Sequence, residues 1–289
     1  MKIIVVHCRK YLSDKKESVD MLKRFLVAAI VGLLMLTSQI AAAEDYDWNQ
    51  AKRISTKAAF YRYVEDERRR GQTLFHVVII NHSILPNAWQ IGYIDKNDFA
   101  DIIPCRDYEP RYTHIDNDGM KMEFNVIEYP GTRVANVYLN GGNLTGDDWI
   151  LYNEAIEIVN EVNKFLSEKE KAKYIHDAIC NRVKDYKNEN DRNKTAIGAL
   201  IDGYAHCQGF TDAFYMLGRM AGLNVGRIGG FINSGGKHMW NTITFNDGKT
   251  YCVDVTNDYL NNSNDFFCAN KEFMQKYFSC HWEIIPNLQ

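Results

Sequence analysis

The sequence has no surplus of basic charge: 34 lysines and arginines face 37 aspartates and glutamates, for a net charge of −3. Surfaces that bind nucleic acid or an anionic membrane concentrate lysine and arginine, so neither partner is expected. The one charge run, Asp66-Glu67-Arg68-Arg69-Arg70, is short and mixed in sign, as at a solvated helix end. The seven cysteines contain no C-x-x-C pair, which removes the usual zinc spacing, and nothing else points to a metal or cofactor. No internal repeat, no low-complexity stretch and no apolar run of the ~20 residues that suit a membrane span is found. What is present is 25% charged and 46% hydrophobic residues over 289 positions, enough for a folded chain with a substantial core.

The N-terminal 43 residues read as a leader. Met21-Leu22-Lys23-Arg24 is a basic start, an apolar stretch covers residues 25–40, and Ala41-Ala42-Ala43 supplies small residues before Glu44-Asp45. That order is the pattern of a cleaved secretory signal over residues 21–43, with Met21 as a candidate start because residues 1–20 are polar. The expected location is therefore extracytoplasmic, secreted or in the cell envelope, with membrane attachment only if the leader is retained. Six cysteines follow it, and oxidising compartments favour disulfides. Only Cys268 with Cys280 suggests a pair.

Residues 44–145 read as an N-terminal α/β extension and residues 146–289 as a second domain. In the first, a helix is predicted over residues 49–70 and strands over 74–80, 89–94, 120–129 and 134–139, with no chemical motif among them. In the second, Ile150, Leu151, Ala155, Ile158, Val159, Val162 and Leu166 trace one helical face. Ser167 and Glu170 form a capping box for another helix, and a third begins near Cys207 and ends at Gly222. Strands are predicted over residues 225–232, 239–245 and 250–256.

Cys207 sits where the third helix should start. Unpaired N–H groups and partial positive charge there stabilise a thiolate, and the same N–H groups can hold an oxyanion. Gly203 and Gly209 beside it permit close backbone approach. His238 opens a strand, with Trp240 and Thr242 on its face. The three residues Asn246-Asp247-Gly248 suit a type I turn with a left-handed glycine, which sets Phe245 opposite Lys249 and Asp254 opposite Trp240. His238 is then the diagonal neighbour of Asp254, on a face opposite the apolar one. Helix-start cysteine, strand histidine and strand aspartate together fit a nucleophile, a base and its orienter. His206 and His176 are read as structural.

Three motifs carry a resemblance. Gly203-Tyr204-Ala205-His206-Cys207-Gln208-Gly209-Phe210, His238-Met239-Trp240-Asn241 and Tyr251-Cys252-Val253-Asp254-Val255-Thr256 resemble the transglutaminase-like superfamily. The likeness covers roughly residues 150–280 and reaches back to the helix carrying His176-Asp177. It implies an α+β fold with a papain-like core, the cysteine helix packed on an antiparallel sheet that bears the histidine and aspartate. One position departs: Asn257 stands where many members carry tryptophan after D-x-T. The resemblance implies acyl transfer on peptide or protein amide bonds through Cys207, His238 and Asp254, with Trp240 and Gln208 as candidate substrate-site residues. A thiol peptidase or amidase is the first expectation. An amine-using transglutaminase is the second, and an inactive peptide- or cell-wall-binding module is the reading from another class.

Overall fold

The computed structural model describes residues 46–91, 103, 107–164 and 167–289. The leader, Cys105, Leu166 and residues 92–94 of an expected strand lie outside the described residues. Among the described residues no helix is long and apolar enough to cross a membrane. Residues Ala51–Gln289 form one compact unit.

A short strand β1 (Lys52–Ile54) leads into α1 (Lys57–Arg69), whose start is capped by Thr56, its hydroxyl accepting from the Ala59 N–H at 3.0 Å. Three further strands, β2 (Leu74–Ile79), β3 (Asp107–Asp116) and β4 (Gly119–Ile127), complete a four-stranded sheet ordered β1-β2-β4-β3. β3 carries no strand signal in its sequence that outweighs Pro110. Its Pro110 reads as a strand breaker, but β3 is an edge strand with a register shift between Pro110 and Tyr112, where a missing N–H is tolerated.

Two segments predicted as strands are helical: α2 (Pro86–Ile91) and α3 (Pro130–Asn140). Each opens on a proline, whose fixed φ and missing N–H suit the first helical turn. The apolar residues of α3 read as β-type in sequence, yet Val134 and Ala135 are fully buried in the same cluster as the helices that follow. That packing decides its form.

α4 (Gly146–Val162) and α5 (Glu168–Arg182) follow, with the Ser167–Glu170 capping box formed as expected. A parallel bridge joins β5 (Asp185–Tyr186) to β6 (Tyr204–Ala205) and delivers the chain to α6 (Cys207–Met220). Gly222 ends α6 at φ 80°, and the Leu223 N–H returns to the Gly218 carbonyl at 2.9 Å. The remaining chain supplies β7 (Asn224–Ile232), β8 (Lys237–Thr244), β9 (Thr250–Val253), α7 (Val255–Asn261), β10 (Phe267–Ala269), α8 (Lys271–Gln275) and β11 (Phe278–Ser279). The five strands form an antiparallel sheet ordered β10-β9-β8-β7-β11. The fold is α+β, with α6 packed on this sheet.

Both faces of the sheet are buried, so the face that carries His238 and Asp254 is packed as well as the apolar one. Ile243 and Val253 join α4, α5 and α6 in one core. Ile228, Trp240 and Cys252 join α1 and the four-stranded sheet in a second. A buried ionic cluster lies nearby: the Arg68 guanidinium donates to both Glu128 oxygens at 2.6 and 2.9 Å, and Arg227 stacks 3.7 Å over the Tyr215 ring. The strand expected over residues 250–256 stops at Val253, and Asp254 instead caps α7. Cys268 and Cys280 are not bonded to each other. Cys268 lies within β10 and Cys280 just after β11, the two edge strands of the sheet.

Candidate active site

The hairpin turn sets the register. Gly248 has φ 81°, its N–H donates to the Phe245 carbonyl at 2.8 Å, and the Phe245 N–H donates to Lys249 at 3.0 Å. Asn241 then pairs with Val253 and Thr242 with Cys252, so the next step brings Asp254 level with Trp240, the register expected from Asn246-Asp247-Gly248. Across that diagonal the His238 Nε2 lies 2.7 Å from Asp254 Oδ2.

Asp254 is held from more than one side. Its Oδ1 accepts the Asn257 backbone N–H at 3.1 Å, and its Oδ2 accepts the Asn257 side-chain amide at 2.7 Å as well as the histidine. The Asn257 amide nitrogen is also 3.2 Å from His238 Nε2. Asn257 was visible in the sequence only as a departure from a family pattern. Its place three residues after the aspartate is the N-cap geometry that delivers both donors.

Cys207 begins α6, 3% exposed and without a disulfide. Its helix start is pinned from outside. The His206 N–H donates to the Asn193 carbonyl at 2.7 Å, and a Cβ on Gly209 would stand 2.5 Å from that same oxygen. Gly203, at φ 78°, turns the chain into this approach. Fully buried Asp212 on α6 accepts from Ala196 and Gly131 N–H groups at 2.9 and 3.0 Å, tying three segments together.

The electrostatics follow from burial against partners. Burial opposes ionisation of Cys207, but hydrogen bonds and charge from His206 and His238 outweigh it and bring the thiol down to about 6. Burial likewise works against the His238 imidazolium, yet the Asp254 carboxylate and the Cys207 sulfur raise it to about 10. Both directions favour a thiolate–imidazolium pair. With Nε2 committed to Asp254, Nδ1 is the ring nitrogen left for the sulfur. Burial pushes other cysteines the opposite way: Cys180 and Cys252 up to about 12, Cys268 up to about 11.

Thus Cys207, His238 and Asp254 come together. Trp240 does not line an open cleft: it is fully buried beneath the histidine, 5.9 Å from its ring and stacked with Phe278 at 5.1 Å. Gly230 makes room for it, since a Cβ there would lie 2.8 Å from the Trp240 ring. The Gln208 amide is engaged with the Tyr129 hydroxyl at 3.1 Å. His206, read as structural from sequence, has its Nδ1 3.4 Å from the Cys207 sulfur. Adjacency to a helix-start cysteine was the only signal for that contact, because the rotamer that makes it is set by packing.

A thiol at a helix N-terminus, an imidazole on the neighbouring sheet and a carboxylate orienting that imidazole define the papain-like class of sites. Within it, residues 156–255 match the transglutaminase-like superfamily. No curated protein sequence matches the chain. Among solved structures, a TGase is 15% identical with a TM-score of 0.34, the match covering 63% of this chain and 50% of that one. The periplasmic domain of TgpA from Pseudomonas aeruginosa is 12% identical with a TM-score of 0.33, covering 55% of this chain and 65% of that one. The chain therefore spans half of the first structure and less than two thirds of the second.

Proposed function

We propose that the chain is an exported, cysteine-dependent acyl-transfer enzyme acting on peptide or protein amide bonds, and that it releases the acyl group to water as a thiol peptidase or amidase. The observation that supports this reading is the buried thiol of Cys207 set between helix N–H groups and an imidazole that Asp254 holds at 2.7 Å. The Cys207 thiolate attacks the amide carbonyl carbon, and the oxyanion forms beside the Cys207 and Gln208 N–H groups, which have no carbonyl within their own helix to donate to. The His238 imidazolium gives its proton to the departing amine as the C–N bond breaks, leaving a thioester and neutral imidazole. That imidazole then takes a proton from water, hydroxide adds to the thioester, and the thiolate leaves with the imidazolium restored. Asp254 keeps its charge throughout and fixes the ring.

Export rests on the leader over residues 21–43, with the mature chain starting at Glu44. Sequencing the N-terminus of the secreted protein tests that part, and a full-length membrane-embedded product would refute it. For the chemistry, mature protein is incubated with a peptide library, with and without a primary amine, and the products are read by mass spectrometry. Hydrolysed amides in both arms support the proposal. Amine adducts in preference to hydrolysis would make the chain an amine-using transferase. No turnover at all would leave a peptide-binding module and end the enzyme reading.

A further inference from the structure

Cys207 has two imidazole partners. His238 arrives from β8, while His206 precedes the cysteine and turns its Nδ1 to within 3.4 Å of the sulfur. His206 occupies the N-cap position of α6, where Ser, Thr, Asp or Asn would ordinarily bond the first helical N–H groups, yet its side chain makes no capping bond. Its backbone does the anchoring: the N–H donates to Asn193 at 2.7 Å, and the carbonyl accepts from Gly209 and Phe210 at 2.8 and 3.2 Å. The Tyr186 ring, 5.4 Å away, flanks the imidazole. The side chain is therefore free of a helix-starting role and is directed at the nucleophile.

We propose that His206 is a second imidazole on the Cys207 thiolate, donating from Nδ1 to the sulfur in addition to the His238–Asp254 pair. This rests on the reading of Cys207 as a nucleophile and adds a residue to it. An Nδ1–H on His206 stabilises the thiolate as a hydrogen-bond donor, while His238 does so as the partner of Asp254. Two donors hold the thiol ionised further into acid than one, and they leave part of that stabilisation when His238 is removed. The other titratable groups facing this sulfur are His238 from β8 and Tyr186 from β5, with Asp254 behind His238 at the start of α7.

The test is the pH dependence of Cys207 alkylation by iodoacetamide in the mature full chain, resolved by peptide mass spectrometry. His206→Ala should move the acid limb of the rate profile upward by about one pH unit, because one of two thiolate partners is gone. His238→Ala should keep its acid limb at lower pH than the double variant. If the alanine chain does not fold, His206→Asn carries the test. Asparagine suits an N-cap, so its amide should turn to the helix N–H groups and the limb should rise as for alanine. A limb that coincides with wild type in whichever variant folds overturns the role of His206 and leaves the enzyme reading intact. A wild-type Cys207 that alkylates no faster than Cys180, Cys252 or Cys268 overturns both.

Discussion

Replacing Asp254 with asparagine changes one atom, and the structure shows why that atom matters. The carboxylate receives three donors: the Asn257 backbone N–H on Oδ1, and the Asn257 amide and His238 Nε2 on Oδ2. An asparagine has one accepting oxygen and one donating nitrogen, so it can satisfy only one side. If its oxygen faces His238, its NH2 opposes the Asn257 N–H and the start of α7 loses its cap, costing about 1 kcal/mol of stability. If its oxygen keeps the cap, its NH2 faces His238 Nε2, drives the ring to the opposite tautomer and leaves a proton on the wrong nitrogen. In both cases the negative charge is gone from a site that is 1% exposed. That charge does most to lift His238 from its ordinary 6.5 to about 10 against the opposing effect of burial. Each tenfold in acidity is about 1.4 kcal/mol. With the orienting charge gone and the ring in the wrong tautomer, kcat should fall by about 10²-fold or more. The assay is turnover of the best library peptide at neutral pH, with the alkylation profile of Cys207 measured alongside. KM should change little, because Asp254 does not meet the substrate. Undiminished kcat with an unchanged alkylation profile would refute the role assigned to the His238–Asp254 pair.

Cys207→Ala should abolish turnover while lowering stability by no more than about 1–2 kcal/mol, checked by thermal melting, since only one sulfur leaves the packing. In the wild type, iodoacetamide near neutral pH should label Cys207 ahead of Cys180, Cys252 and Cys268, whose thiols burial holds at about 12, 12 and 11. The pH–rate profile should be a broad plateau. Cys207 must be ionised and its thiol is lowered, so activity rises as pH climbs through about 6; His238 must be protonated and is raised, so activity declines as pH passes about 10. Gly248→Val, at φ 81° with open space around it, should cost about 1–2 kcal/mol and a few degrees in Tm through backbone strain alone. Gly209→Ala should cost more, because its Cβ would meet the Asn193 carbonyl oxygen at 2.5 Å.

Much of the site was legible because its determinants are local. Capping at Ser167–Glu170, the left-handed Gly222 and the helix start at Cys207 depend on residues within one turn of each other. The Asn246-Asp247-Gly248 turn fixes strand register, and register fixes which side chains are diagonal neighbours, so His238 and Asp254 could be paired from the sequence. Tertiary packing decided the rest. Residues 134–139 hold Val134, Val137 and Tyr138, a β-type composition, but burial of this segment with the helical core makes it a helix, and Pro130 was the local sign. Asp254 ends a strand and starts α7 in one step, which brings Asn257 onto its carboxylate; the sequence shows the residues but not that break. The sheet's second buried face exists only because the N-terminal strands and α1 share its core, and no strand's own alternation can reveal what covers it. Cys268 and Cys280 are twelve positions apart in the chain yet stand at opposite edges of the sheet, because strand order is a property of the whole fold. Local chemistry fixed where each reactive group begins; the arrangement of strands fixed what each one touches.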